Sequence, residues 1–151
     1  MVLIATPAHP PEQILAGARV RIEPEDGYVW VDDEVPAIVL TERYYRTGHA
    51  RDLYLDMLHE LTHLRQLAEG RNIWDERLRY VDRPTEIEGY AIAIGEGRRL
   101  GMSEAEILRH LSNPWMNADD VLRLRAHVER FLAESTGGDG TESGGPATAG
   151  G

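Results

Sequence analysis

Residues 59–63 read His-Glu-Leu-Thr-His, and this spacing could hold a metal ion. On an α-helix, His59 and His63 lie one turn apart on the same face, and Glu60 lies beside them. Two imidazoles so placed can bind one tetrahedral Zn²⁺ at about 2.0–2.1 Å each, which leaves positions for a third protein ligand and a water. Glu60 projects too far round the helix to bind the metal comfortably, but it can contact that water as a general base.

The sequence around the motif predicts a long helix that begins near residues 47–50 and ends at Gly70. Apolar side chains recur along it at helical spacing and predict a packing stripe directed away from the histidines. The stripe consists of Leu53, Met57, Leu61, Leu64 and Ala68. The other face carries polar groups, among them Asp56 and Gln66. The alternative interpretation is a solvated polar face that matches the motif by chance.

A zinc site needs a third protein ligand, and because the chain has no cysteine this ligand must be a carboxylate or another histidine. A second helix, predicted from Thr85 to Arg99, offers Glu86 and Glu88. These residues are two positions apart and point in different directions, so at most one of them faces the metal.

Position on the helical wheel favours Glu86, which lies at the edge of the core-facing side. Gly89, Ala93 and Gly97 continue that edge as a stripe almost free of side chains, which would allow close approach to the first helix. Glu88 has another explanation, since Thr85 and Glu88 have the spacing of a capping box. Glu86 is therefore the predicted ligand. Its alternative role is that of an acid favoured by the helix dipole.

Taken together, His59-Glu60-Leu61-Thr62-His63 and the later Pro84-Thr85-Glu86-Ile87-Glu88-Gly89-Tyr90-Ala91 resemble a small gluzincin-type zinc metallopeptidase of the minigluzincin kind. The resemblance covers roughly residues 28–100. It implies that His59, His63 and Glu86 bind zinc and that Glu60 is the catalytic base. It also implies a twisted sheet before the active-site helix, with an edge strand that lines the cleft and pairs with an extended peptide substrate.

The chain departs from the larger gluzincins at one position. Those enzymes often have an aspartate four residues after the ligand glutamate, where it orients a histidine, and here that position is Tyr90. The sequence therefore leaves the hydrogen-bonding partner of His59 open, and Asp56 is one candidate. A metzincin is excluded because residues 64–69 contain neither the required glycine nor a third histidine.

A peptidase of this kind also needs a donor to the developing oxyanion. Tyr80, Tyr90 and His110 could each supply it, and the sequence does not choose among them.

The remaining elements predict an α+β fold. Residues 19–22, 28–31 and 37–40 have the pattern of strands, and the turn residues 24–27 predict a hairpin between the first two. We expect a short twisted β-sheet of about three strands, packed on the active-site helix, plus about three further helices. Residues 1–134 form one predicted zincin-like domain, and residues 135–151 are a Gly/Ser/Thr-rich tail predicted to be disordered.

Composition narrows the class of function. The 151-residue chain has a formal net charge of −10, which argues against a nucleic-acid surface. Neither a signal peptide nor a membrane span is evident, and we expect a cytoplasmic protein whose partner is a peptide or protein substrate. The alternative to a zinc metallopeptidase is a metal-binding, non-proteolytic regulatory or partner-binding module. A helical domain without metal is a third possibility.

Overall fold

The computed structural model describes residues 10–137 and has the α+β fold that the sequence predicts. Within these residues it contains a three-stranded mixed sheet and six α-helices. The strands are β1 (Val20–Glu23), β2 (Val29–Asp32) and β3 (Ala37–Thr41). The helices are α1 (Pro11–Gly17), α2 (Glu42–Thr47), α3 (Ala50–Ala68), α4 (Pro84–Arg99), α5 (Glu104–Leu111) and α6 (Ala118–Gly137).

The predicted hairpin between the first two strands is wrong, because β3 lies between them in the order β1-β3-β2. β1 pairs with β3 in parallel, and β2 pairs with β3 in the antiparallel direction. The reason is burial: every residue of β3 is buried, whereas Val20 and Ile22 of β1 are half exposed. The most apolar strand therefore takes the central position, and β2 is left at the edge of the sheet.

Helix α3 is buried on two faces rather than one. Met57, Leu61 and Leu64 of the predicted stripe are partly buried against Val31 and Ile38 of the sheet, as expected. A second set of α3 residues faces α4 and the other helices and is more deeply buried than that stripe. This set includes Leu55, Leu58, Thr62 and Gln66. Helix α3 is thus the middle layer between the sheet and the other helices.

Helix α4 begins earlier than predicted, so the expected capping box is absent. Pro84 takes the first helical position and Arg83 is the N-cap residue, so Thr85 is the second helical residue and Glu88 the fifth. A proline at this position is already held near the helical φ value, so the helix can start there without a side-chain cap. The predicted end is confirmed, since the chain turns at Gly101 with a φ of 81°.

The C-terminal helices follow the sequence more closely. Ser103 and Glu106 form the predicted capping box at the start of α5. Asn117 accepts a hydrogen bond from the backbone of Asp120 at the start of α6. Helix α6 continues to Gly137, three residues past the predicted end of the domain, and the rest of the predicted tail lies outside the described residues. Among the helices described, none has both the length and the apolar composition needed to cross a bilayer.

Candidate metal centre

Two neighbouring helices bring the three predicted ligands together. His59 and His63 are one turn apart on α3, and Glu86 reaches them from the first turn of α4. The Nε2 atoms of the two histidines are 2.9 Å apart, and Glu86 lies 3.1 Å from His59 Nε2 and 3.5 Å from His63 Nε2. All three residues are buried. This group could bind a metal ion.

The donor chemistry of the group fits a cation. Glu86 offers only acceptor oxygens, and a neutral His63 turns an unprotonated Nε2 toward it, because its Nδ1 donates to Gln66 at 2.7 Å. Lone pairs that converge in a buried space repel one another unless a proton or a metal ion lies between them. Two ligands of a tetrahedral ion at about 2.0–2.1 Å are about 3.3 Å apart, which is close to the spacing of these atoms.

The electrostatics of the metal-free group follow from the same contacts. Burial alone would raise the pKa of Glu86, but hydrogen bonds from His59 and His63 hold it well below its usual value. Burial alone would lower the pKa of His63, whereas hydrogen bonding and attraction to Glu86 raise it to about 9. A proton thus occupies the place that a metal ion would take.

Glu60, the predicted base, lies in the same buried environment. Its residue surface is 7% exposed, and it lines the cleft together with the two histidines and Glu86. Burial raises its pKa, and the charge of Glu86 acts in the same direction. A carboxylate with a raised pKa is a better proton acceptor than a solvated one, as a general base near neutral pH requires.

The Nδ1 side of the His59 ring is held by packing rather than by a hydrogen bond. Its Nδ1 is buried and has no hydrogen-bonding partner within residues 10–137. The Tyr90 ring lies edge-on to the imidazole at 4.4 Å between ring centroids, and the backbone of Gly89 is so close that a Cβ there would be 2.9 Å from the ring. Asp56, the candidate partner from the sequence, instead accepts a hydrogen bond from Tyr44 at 2.5 Å.

The alternative ligand Glu88 faces away from the histidines. Its carboxylate accepts hydrogen bonds from Gln66 at 2.8 Å, from Arg71 at 2.6 Å and from Arg65. These bonds lower the pKa of Glu88 against the effect of burial. Glu88 therefore belongs to a charged network that joins α4 to α3. The sequence predicted a capping-box role for it instead.

A cleft of about 450 Å³ opens onto the group formed by His59, His63 and Glu86. Val29 and Trp30 of β2 line one side, and this strand pairs only with β3 among the described strands. The rest of the wall consists of Tyr28, of residues from α2, α3, α4 and α5, and of the segments that follow α3 and α5. Within residues 10–137, the other edge of β2 therefore pairs with no strand.

All three candidate oxyanion donors line this cleft. The Tyr90 hydroxyl accepts a hydrogen bond from the Asn113 amide at 2.6 Å and lies 2.9 Å from the Tyr80 hydroxyl. The Nε2 atom of His110 lies 3.5 Å from the Asp56 carboxylate. Asn113 was not expected at the site, and neither was the contact of Gln66 with His63. Gln66 could have been found from spacing, since it lies three residues after His63 on the same helical face.

No protein-family model matches the chain, and neither a curated protein nor a solved structure is significantly similar to it. The functional argument therefore rests on the residues and their geometry.

Proposed function

We propose that this protein is a zinc-dependent metallopeptidase. The observation that carries the proposal is the convergence of three buried ligand atoms from His59, His63 and Glu86, with Glu60 beside them and an open cleft in front. A site that only stabilised the fold would have no need of an acid at the position of Glu60. Within residues 10–137 the edge of β2 along the cleft has no partner strand, which supports an extended peptide as the substrate.

Zinc is the ion that this ligand set favours. Two histidines and one glutamate are the protein ligands of several catalytic zinc sites, in which a fourth position stays open. When bound, zinc would polarise the carbonyl of the scissile peptide bond and lower the pKa of water at the site. Mg²⁺ and Ca²⁺ prefer oxygen ligands, so a site with two imidazoles argues against them.

The protein's own groups have separate tasks in the proposed reaction. Glu60 takes a proton from the attacking water and delivers it to the leaving amine. The edge of β2 hydrogen-bonds the peptide backbone in an extended conformation. Tyr80 and His110 line the cleft, and either can donate a hydrogen bond to the carbonyl oxygen as negative charge develops there.

The decisive experiment combines metal content with turnover. Protein purified without added metal should contain one zinc ion per chain and should hydrolyse unstructured peptides. Glu60→Gln should keep the zinc and reduce the cleavage rate by at least about a hundredfold, as expected for loss of a general base. If Glu60→Gln cleaves as fast as the parent protein, the peptidase mechanism is wrong. Stoichiometric zinc without any turnover would favour the non-proteolytic, metal-binding alternative.

A further inference from the structure

We propose that Gln66 is a positioning residue of the metal site, which fixes the proton of His63 on Nδ1 and so presents Nε2 to the metal. The proposal deepens the zinc site proposed above and rests on it. Gln66 is fully buried, and it contacts both the ligand-bearing helices.

The orientation of the Gln66 amide follows from its partners. Its Nε2 lies 3.1 Å from the carbonyl oxygen of Thr85 and 2.8 Å from the carboxylate of Glu88. Both partners are acceptors only, so the group that faces them must be the donating NH₂. The oxygen of the amide is then the atom that faces His63.

This orientation decides the tautomer of His63. An amide oxygen can only accept, so the bond of 2.7 Å between it and His63 Nδ1 requires a proton on Nδ1. In the neutral imidazole the lone pair is then on Nε2, which points toward His59 and Glu86. The opposite tautomer would turn an N–H toward the metal position and leave two acceptors facing each other at Gln66.

Gln66 also connects the two helices that supply ligands. Thr85, whose carbonyl it binds, directly precedes Glu86 in the first turn of α4. The Glu88 carboxylate accepts a hydrogen bond from the same amide, and it also accepts hydrogen bonds from Arg65 and Arg71. Since His59 Nδ1 has no hydrogen-bonding partner within the described chain, Gln66 is the residue that orients a ligand imidazole through its Nδ1.

The test uses the full chain and Zn²⁺ alone as the probe. Gln66→Met keeps the approximate volume but removes the acceptor, and we expect a 10–100-fold loss of zinc affinity in a chelator competition assay. In the zinc-loaded parent protein, the Nδ1 proton of His63 should give a ring N–H signal protected from exchange in ¹H–¹⁵N spectra. That signal should disappear in Gln66→Met.

A control variant separates positioning from a general loss of stability. Glu69→Gln perturbs the same charged network through Arg65 but makes no bond to Gln66, so its zinc affinity should stay within about twofold of the parent value.

The proposal is overturned if Gln66→Met binds zinc as tightly as the parent protein, or if Glu69→Gln loses as much affinity as Gln66→Met. Failure of the proposed function would look different, because the parent protein itself would then bind no zinc.

Discussion

At the scale of single residues, two glutamates in the same helical turn have opposite surroundings. Glu86 faces two imidazoles and is 3% exposed, whereas Glu88 faces two arginines and an amide. The difference is geometric, because a separation of two residues turns a side chain through about 200° on an α-helix. Each carboxylate therefore meets a different set of cations, and we expect the two positions to respond differently to substitution.

Alanine at these two positions should separate metal binding from stability. Glu86→Ala removes a ligand, so we expect loss of stoichiometric zinc binding. Glu88→Ala leaves Arg65 with Glu69 as its remaining partner, so we expect zinc to be retained and the free energy of unfolding to fall by about 2–3 kcal/mol. Zinc content and denaturant unfolding measure the two effects. Retention of zinc by Glu86→Ala, with its loss from Glu88→Ala, would reverse the ligand assignment.

The raised pKa of His63 predicts how zinc affinity depends on pH. Below its pKa of about 9 the metal-free site holds a proton that zinc must displace. The apparent affinity should therefore rise about tenfold per pH unit between pH 7 and 8.5 and level off above pH 9. Chelator competition across this range measures the slope, and an affinity that is independent of pH would contradict the proton assignment.

The raised pKa of His63 also predicts that the stability of the metal-free protein falls as the pH rises, whereas zinc affinity rises. A pKa above the unfolded value means that protonated His63 stabilises the fold, fully below about pH 6.5. This contribution should be lost as the pH rises toward about 9. The metal-free and zinc-loaded proteins should thus show opposite trends with pH in thermal unfolding.

At the scale of elements, the close packing of α3 on α4 determines the site. Gly89 and Gly97 lie where any larger residue would clash with a neighbouring side chain. A Cβ at Gly89 would be 2.9 Å from the His59 ring, and a Cβ at Gly97 would be 2.8 Å from Met102 Sδ. These are two members of the stripe that the sequence indicates along this edge of α4. Small residues here let the Glu86 carboxylate reach the imidazoles of the other helix.

Alanine at Gly89 should weaken the site although alanine usually favours a helix. The new Cβ would have to displace the His59 ring, so we expect a loss of at least about tenfold in zinc affinity and about 1–3 kcal/mol of stability. Gly95→Ala is the matched control on the same helix, because its Cβ would only touch Leu132 at 3.8 Å. It should stabilise the fold by about 0.5–1 kcal/mol and leave zinc affinity unchanged. Equal behaviour of the two variants would contradict the packing argument.

Sequence patterns predict these elements well where the signal is local. The helix of His59 and His63, the capping box at Ser103 and the stops at Gly70 and Gly101 depend on neighbours in the chain, and all are found in the structure. The partner of β1 is not a local property, because either β2 or β3 could pair with it. The position of β3 between them follows from its burial, which only the complete fold determines.

The same limit applies within the site. Helical spacing brings His59 and His63 together and turns Glu86 toward them. It does not show that Glu88 contacts Arg65 and Arg71, because these arginines lie 23 and 17 positions before it in the chain. Tyr90 likewise packs on His59 only because α4 lies against α3. Long-range contacts of this kind depend on how whole helices are placed.

At the scale of the whole molecule, α3 separates two apolar regions. The sheet side contains Val31, Ile38 and Ile73, and the larger helical side includes Ile94, Leu111 and Leu124. The group of His59, His63 and Glu86 lies between α3 and α4, so a bound ion would join α3, the middle layer, to the layer of helices beyond it. Binding of a ligand to the folded state alone stabilises that state by mass action.

Removal of zinc should therefore lower the melting temperature of the entire domain. Zinc at a thousandfold excess over its Kd stabilises the fold by about 4 kcal/mol, and for a domain of this size each kcal/mol corresponds to about 3–5 °C. A strong chelator should then lower Tm by about 10–20 °C in calorimetry. Glu86→Ala is the control, since a protein that cannot bind the ion should melt at the same temperature with and without the chelator. A chelator effect of equal size in both proteins would mean that the ion binds elsewhere.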